Sequence, residues 1–300
     1  MILCVQQEVV EMREYKYAKD YQGKIYRIHV EQDSEPLNPR VDWDGNIGHM
    51  MCWWNRYDLG DKNEFKEPED FLNHLVRYHV SEKKIINFVK SGKTSNGLEL
   101  KYNRSENLWE LWGYYRYWWT GNEVHHGVIE SNYPIDYLVD DIIDAMNFED
   151  KWKLLESEGF YSLPLYIYEH SGITMNIGGF SCPWDSGQAG WIYTTKEEIF
   201  KCGGKIQSKK GNWIKVTDKN WKDAAYKWLK SEVKEYDMYL QGECYGYIID
   251  ELIDAEDDEW NENTDSCWGF YSSKWGDDLI EEIALEAGFD KVFDSLEAIA

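Results

Sequence analysis

Residues 245–273, YGYIIDELIDAEDDEWNENTDSCWGFYSS, contain two apolar segments on either side of an acidic one. The outer segments, YGYIID (245–250) and DSCWGFYSS (265–273), are rich in residues typical of strands, which predicts an antiparallel pair. The acidic segment between them, residues 251–264, is predicted to be an insertion that joins the two strands. Short elements of this kind favour an α+β fold over a doubly wound parallel one.

The rest of the chain alternates short strand and helix patterns, with no repeat and no long linker. Strand patterns lie at 24–30, 50–54, 98–103, 108–121, 163–175 and 191–195. Helix patterns begin near 67 and cover 135–159, 221–233 and 276–287. We therefore predict an α+β fold with mixed or antiparallel sheets and flanking helices, in two α+β halves, 1–160 and 161–300.

The net charge of the chain is strongly negative and unevenly distributed. The formal charge is −24, from 56 acidic and 32 basic residues. Residues 232–300 contain 21 acids and three lysines, so most of the net charge lies in less than a quarter of the chain. Because this charge repels nucleic acid and anionic membranes, we predict that the chain binds neither directly. A merely solvated acidic surface and a surface for a basic partner both remain open.

The cysteines and the first residues point to a reducing compartment. The six cysteines, at positions 4, 52, 182, 202, 244 and 267, contain no CxxC pair and fit neither a zinc module nor a small disulfide scaffold. The opening residues, MILCVQQEVVEMREY, carry charge too early for a secretory signal. We therefore expect a cytoplasmic protein with free thiols.

The acidic segment provides the first candidate binding site. Aromatic residues alternate with its acids, which indicates a structured segment rather than a solvated tail. A cluster of carboxylates on an ordered surface attracts a basic surface on another protein. The predicted partner contacts are Asp254, Glu256, Asp257, Asp258, Glu259, Trp260 and Glu262.

A second group of residues gives the alternative, an enzymatic interpretation. Cys182 as nucleophile, His170 as base and Asp185 as orienting carboxylate would suit a small hydrolase or transferase. However, Pro183 removes the next backbone N–H as an oxyanion donor, and the surrounding glycines are typical of a tight loop. We therefore predict a protein that is not an enzyme, with the Cys182–His170 pair as the alternative.

The sequence predicts neither a metal nor a cofactor. His125 and His126 are adjacent, so on a strand their side chains point to opposite faces. The acids at 257–259 and 262 lack the spacing of a calcium-binding loop. A glycine-rich phosphate-binding motif is also absent from the sequence.

Five longer blocks together resemble a known family. They are MCWWNRYDLGDK (51–62), EPEDFL (67–72), PLYIYEHSGITM (164–175), FSCPWDSGQ (180–188) and DSCWGFY (265–271). This combination resembles a widespread family of acidic proteins encoded by bacteriophages and other mobile elements of bacteria. The resemblance implies a counter-defence role, as in antirestriction proteins that imitate the charge of DNA or in Gabija anti-defence proteins. It assigns no catalytic residue.

The leading hypothesis combines this resemblance with the localised charge. It is a phage-encoded inhibitor that blocks a nucleic-acid-handling host defence complex, through protein–protein contact or DNA mimicry. The 16 Trp and 22 Tyr exceed what a charge mimic needs, which also favours a shaped interface or a homo-oligomer. The aromatic segment 109–119 is the candidate for an oligomer interface.

Overall fold

The computed structural model describes residues 15–117, 120–130, 132–208, 210–274 and 276–299. In these residues the chain forms seven α-helices and 14 strands, arranged in antiparallel sheets. This confirms the predicted α+β class. The predicted oligomer interface, 109–119, includes residues 118 and 119, which lie outside the described residues, so it stays a prediction.

The elements follow one another in short, mixed order. The strands are β1 (Lys16–Lys19), β2 (Ile25–Gln32), β3 (His49–Cys52), β4 (Glu99–Asn103), β5 (Leu108–Tyr117), β6 (Thr120–Glu130), β7 (Phe160–Glu169), β8 (Ile173–Asn176), β9 (Ser186–Thr195), β10 (Lys205–Gln207), β11 (Trp213–Lys215), β12 (Cys244–Asp254), β13 (Glu259–Tyr271) and β14 (Val292–Phe293). The helices are α1 (Pro68–His79), α2 (Glu82–Lys90), α3 (Val139–Ala145), α4 (Phe148–Ser157), α5 (Lys196–Lys201), α6 (Trp221–Gln241) and α7 (Asp277–Glu286).

Two compact units are interleaved along the chain. Among the described residues, unit 1 contains 15–42, 170–174 and 234–299, and unit 2 contains the residues between these stretches. Both units combine helices with strands, and β8 and α6 each carry residues of both. The division of the chain into two contiguous halves, 1–160 and 161–300, stays a prediction.

Unit 1 is built on a five-stranded sheet with the order β13-β12-β2-β1-β14. Alternate residues of the inner strands face the core, as the two-residue period of a strand requires. The core contains Ala18, Ile28, Tyr245, Tyr247 and Ile249, together with Leu279, Ile283 and Ala284 of α7. The predicted strand at 24–30 and the predicted closing helix at 276–287 correspond to β2 and α7.

The β12–β13 hairpin is longer than predicted. The expectation of an insertion over residues 251–264 is wrong in extent, because β12 continues to Asp254 and β13 begins at Glu259. Leu252 pairs with Trp260, so apolar residues continue the ladder into the acidic segment. Three register shifts interrupt the pairing, and such bulges increase the local twist of a hairpin.

Unit 2 contains three smaller sheets and most of the helices. The sheets have the orders β3-β9-β7-β8, β4-β5-β6 and β10-β11. Helices α1 to α4 pack their apolar faces into one core, which also includes Met51 and Trp191 of the first sheet. At Gly190 the strands β9 and β3 approach so closely that a Cβ atom would collide with the carbonyl oxygen of Met51. Only glycine fits there.

The single helix predicted over 135–159 is wrong. The segment forms a short 3-10 helix, Ile135–Leu138, followed by α3 and α4. Met146 is extended, and the side chain of Asn147 accepts a hydrogen bond from the backbone N–H of Asp150. An asparagine is more favourable as an N-cap than inside a helix, so the chain starts a new helix there.

Candidate functional site

The tip of the β12–β13 hairpin carries the acids that were predicted to bind a partner. Asp254 pairs with Glu259 across a four-residue loop. The Oδ1 atom of Asp254 accepts hydrogen bonds from the backbone N–H groups of Glu256, at 2.7 Å, and Asp257, at 3.3 Å. Asp258 has a left-handed backbone (φ 51°), which aspartate tolerates better than most residues. The acids themselves therefore form the turn.

The four carboxylates of Glu256, Asp257, Asp258 and Glu259 are exposed and, in the described part of the chain, form no ion pair with a lysine or arginine. Glu262, further along β13, has a side chain that is 80% exposed and lies 3.7 Å from Nη2 of Arg27. The tip therefore presents a concentrated negative charge to solvent.

Trp260 connects the acidic tip to the sheet. Its indole Nε1 donates a hydrogen bond to Oδ1 of Asp258 at 2.7 Å. The guanidinium carbon of Arg27 lies 4.6 Å from the ring centroid, and the ring of Tyr17 lies 6.1 Å away. The ring is partly buried, and its contacts with Asp258 and with Arg27 and Tyr17 anchor the tip to the sheet. Its predicted contact with a partner stays a prediction.

A buried ion pair that sequence analysis missed lies behind the tip. Asp250 is only 3% exposed, and its Oδ2 accepts a hydrogen bond from Nε of Arg27 at 2.6 Å. The Oδ1 atom of the same carboxylate accepts one from the backbone N–H of Asn263 at 2.8 Å, where β13 has a left-handed residue (φ 52°). The available signal was an aspartate at the end of the apolar run YGYIID, since a buried carboxylate needs a partner.

The remaining acids of residues 232–300 include some that are paired with lysines and others that lie on helix α7. Glu251 is hydrogen-bonded to Lys24 and raises the pKa of that lysine. Asp294 lies 2.5 Å from Lys16. Helix α7 carries further exposed acids, Asp278, Glu281 and Glu286. The acids of residues 232–300 therefore differ in their surroundings. Four consecutive exposed ones, at 256–259, lie at the hairpin tip.

The comparisons with known proteins give no relative. Neither the protein-family models, nor the curated proteins, nor the solved structures contain a match to this chain. The resemblance to acidic phage proteins therefore stays a prediction. What the site can do has to be argued from its own geometry.

Metal ligands, membrane-spanning helices and the state of the cysteines bear on three further sequence predictions. Within the described residues, no group of three or more His, Cys, Asp or Glu side chains is arranged to hold a metal ion. None of the helices in this part of the chain is both long and apolar enough to cross a membrane. The five cysteines that the structure describes, Cys52, Cys182, Cys202, Cys244 and Cys267, are free thiols.

The alternative nucleophile, Cys182, lies in the loop before β9. Its thiol donates a hydrogen bond to Oδ2 of Asp185 at 3.5 Å, and the hydroxyl of Ser186 donates to its carbonyl at 2.5 Å. The Nδ1 atom of His170 lies 3.3 Å from the hydroxyl of Ser171. Asp185 thus contacts the thiol itself, which is not the orienting contact with a histidine that the enzymatic alternative requires. A catalytic role for Cys182 and His170 stays a prediction.

Proposed function

We propose that this chain is a phage-encoded binding protein that inhibits a host antiviral defence complex in the cytoplasm of the host. The observation that carries the proposal is the hairpin tip, where four consecutive exposed carboxylates lie on an ordered turn and pair with no lysine or arginine among the described residues. The partner is a protein of that complex with a basic, nucleic-acid-binding surface. The resemblance to acidic phage proteins supplies the biological setting.

The exposed carboxylates of the tip give it a stronger electrostatic field than the paired acids elsewhere in unit 1. A carboxylate that is paired with a lysine of the same chain exerts only a weak electrostatic attraction on a partner. The carboxylates at the tip have no such pair within the described chain and attract a basic surface more strongly. At physiological salt this field extends about 8 Å, so it acts when a basic surface comes close. The hydrogen bonds that Asp254 accepts from the backbone N–H groups of Glu256 and Asp257 hold the turn in one shape, which lowers the entropy cost of docking.

The tip supports binding to a protein rather than to nucleic acid. Phosphates repel the tip, while a groove that normally binds phosphates attracts it. The closeness of the carboxylates on the turn is compatible with DNA mimicry, and the twisted edge strand β13 provides a shaped surface for direct protein contact. The two modes predict different behaviour when DNA is added.

The experiment begins with capture of the partner from extracts of the natural bacterial host by the tagged chain. The captured protein is then purified, and its association with the chain is measured at several salt concentrations. The test variant is E256Q/D257N/E259Q, which removes three charges from the tip. The matched control is D278N/E281Q/E286Q, which removes three exposed charges from α7.

The expected result separates these two variants. The tip variant associates about tenfold more slowly at low salt and shows a weaker dependence on salt, because steering depends on local charge. The α7 variant retains most of both properties. Equal behaviour of the two variants would contradict the proposal. If duplex DNA competes with the chain for the partner, the result supports DNA mimicry. If DNA leaves the binding unchanged, the result supports direct protein contact outside the DNA-binding surface.

A further inference from the structure

Unit 2 contains a cleft of about 470 Å³ that the acidic hairpin does not share. Its walls come from the segment after β3, the end of β7 and the start of β9 with the preceding loop. The blocks MCWWNRYDLGDK and FSCPWDSGQ, which are far apart in sequence, meet here. This volume lies in the range typical of small-molecule sites.

The floor of the cleft is preorganised around Glu169. Its Oε2 accepts a hydrogen bond from the indole N–H of Trp54 at 2.9 Å, and its Oε1 accepts one from Nη1 of Arg56 at 2.8 Å. The hydrogen bond from Trp54, together with Arg56, lowers the pKa of Glu169. The backbone N–H of Glu169 also donates to the carbonyl of Asp185 at 2.8 Å, which ties the loop to the end of β7. These polar groups are therefore held in place before a ligand arrives.

Trp184 offers a free aromatic face at this cleft. Its residue surface is 91% exposed, although a tryptophan normally gains stability from burial. Within the described part of the chain, its ring packs against no other ring and its N–H has no hydrogen-bond partner. Trp54, by contrast, is held by Glu169. The exposed indole is a flat apolar surface beside a polar cleft.

The polar lining contains hydrogen-bond donors and acceptors side by side. The charges of Arg56 and Glu169 neutralise each other, and Asp185 adds a further carboxylate. The side-chain amide of Gln188 donates one N–H to the carbonyl of Gly190 at 3.3 Å, which leaves its second N–H and its oxygen for a ligand. A fully ionised phosphate only accepts hydrogen bonds and an alkylammonium only donates them, so each leaves half of this lining unpaired. A hydroxyl group does both.

From this geometry we infer that the cleft binds a neutral pyranose sugar, with the C–H face of the ring stacked on Trp184. Sugar ring hydrogens are weakly positive, and the face of an indole is negative, so the two surfaces attract each other. The sugar hydroxyls hydrogen-bond to Asp185, Gln188 and the Arg56–Glu169 pair. This site lies in unit 2 and does not depend on the acidic hairpin of unit 1.

The inference is tested by saturation-transfer NMR on the full chain. The probes are methyl glucoside, N-acetylglucosamine, maltose and cellobiose, with methylammonium chloride and AMP as probes of the competing ligand classes. The test variant is Trp184→Ala. The control is Trp213→Ala, which removes another exposed tryptophan, 68% exposed on β11 and outside the cleft.

We expect saturation to reach the ring hydrogens of at least one of the four sugars. Trp184→Ala weakens that binding at least tenfold, while Trp213→Ala leaves it within twofold. A second variant, Gln188→Ala, weakens it without removing the stacking surface. Absence of transfer to all four sugars, transfer unaffected by Trp184→Ala, or binding confined to the ammonium or nucleotide probe would overturn the assignment.

Discussion

The carboxylate of Asp250 and the guanidinium of Arg27 form a buried ion pair at 2.6 Å behind the acidic tip. The two side chains are 4% and 18% exposed. The same aspartate accepts a hydrogen bond from the backbone N–H of Asn263, and the same arginine lies against Trp260. One pair of charges therefore connects β2, β12 and β13, and through Trp260 it supports the turn.

Replacing Asp250 by alanine is predicted to destabilise unit 1 strongly. The variant leaves the partly buried Arg27, whose side chain is 18% exposed, with the more distant and exposed carboxylate of Glu262, and it removes the acceptor of the N–H of Asn263. Breaking a buried pair from one side costs about 3–5 kcal/mol. The measurement is urea denaturation combined with hydrogen exchange of the β12 and β13 amides, which reports on unit 1.

The control for this prediction is Glu262→Gln on β13, which removes the other carboxylate near Arg27. Its carboxylate lies 3.7 Å from Arg27 and is 80% exposed, so its loss is expected to cost less than about 1 kcal/mol. Equal destabilisation by Asp250→Ala and Glu262→Gln would show that the buried pair does not support the hairpin.

The turn itself is predicted to depend on the oxygen of Asp254 rather than on its charge. Asp254→Asn keeps an acceptor for the N–H groups of Glu256 and Asp257, whereas Asp254→Ala removes it. Amide exchange at 256 and 257 should therefore accelerate in the alanine variant and change little in the asparagine variant. Equal acceleration in both would mean that charge, not hydrogen bonding, holds the turn.

Local patterns predicted much of unit 1 because they require no knowledge of distant residues. The strands at 245–250 and 265–273 and the closing helix follow from residue types and from their spacing. The helix over 135–159 failed because apolar spacing continues across Asn147, while the capping preference of that residue ends the helix. A local preference can interrupt a pattern that remains periodic on both sides.

The candidate sites were harder to predict because their contacts join distant segments. Arg27 and Asp250 are 223 positions apart, and Trp54 and Glu169 are 115 apart. The acidic tip could be located from charge alone, since its residues are consecutive. The cleft beside Trp184 could not, because its walls meet only after β3, β7 and β9 have paired.

The thiol of Cys182 is predicted to react at an ordinary rate. The reactive form of cysteine is the thiolate, and the side-chain contact that the structure shows for this thiol is with the carboxylate of Asp185, at 3.5 Å, rather than with a histidine or a cation that would activate it. Iodoacetamide labelling of the folded protein, followed by peptide mass spectrometry, compares Cys182 with the exposed thiols Cys202 and Cys267. Labelling of Cys182 that is much faster near neutral pH would instead favour the enzymatic alternative.

Glu198 is predicted to make the stability of unit 2 depend on pH in acid. Burial alone would raise the pKa of this carboxyl, but hydrogen bonds from His49 and from Thr195 outweigh it and lower the pKa to about 2. Glu198 and Thr195 form a capping box at the start of α5, and Nε2 of His49 lies 2.7 Å from Oε1 of the carboxylate.

The sign of this effect follows from the two pKa values of Glu198. The folded value, about 2, lies below the ordinary value of 4.5, so folding favours the ionised form. The stabilisation is therefore complete above pH 4.5 and is lost as the pH falls towards 2. Glu198→Gln retains the geometry of the capping box but cannot ionise. The free energy of unfolding of this variant therefore lacks the pH dependence that Glu198 contributes.

The measurement is the difference in urea midpoint between the wild type and Glu198→Gln across this pH range. The difference should shrink steadily from pH 4.5 to about 2. Side-chain carboxyl NMR provides a direct check, because His49→Gln should move the titration of Glu198 to higher pH. A difference that stays constant or grows in acid would mean that the carboxylate is not stabilised by these hydrogen bonds in the folded chain.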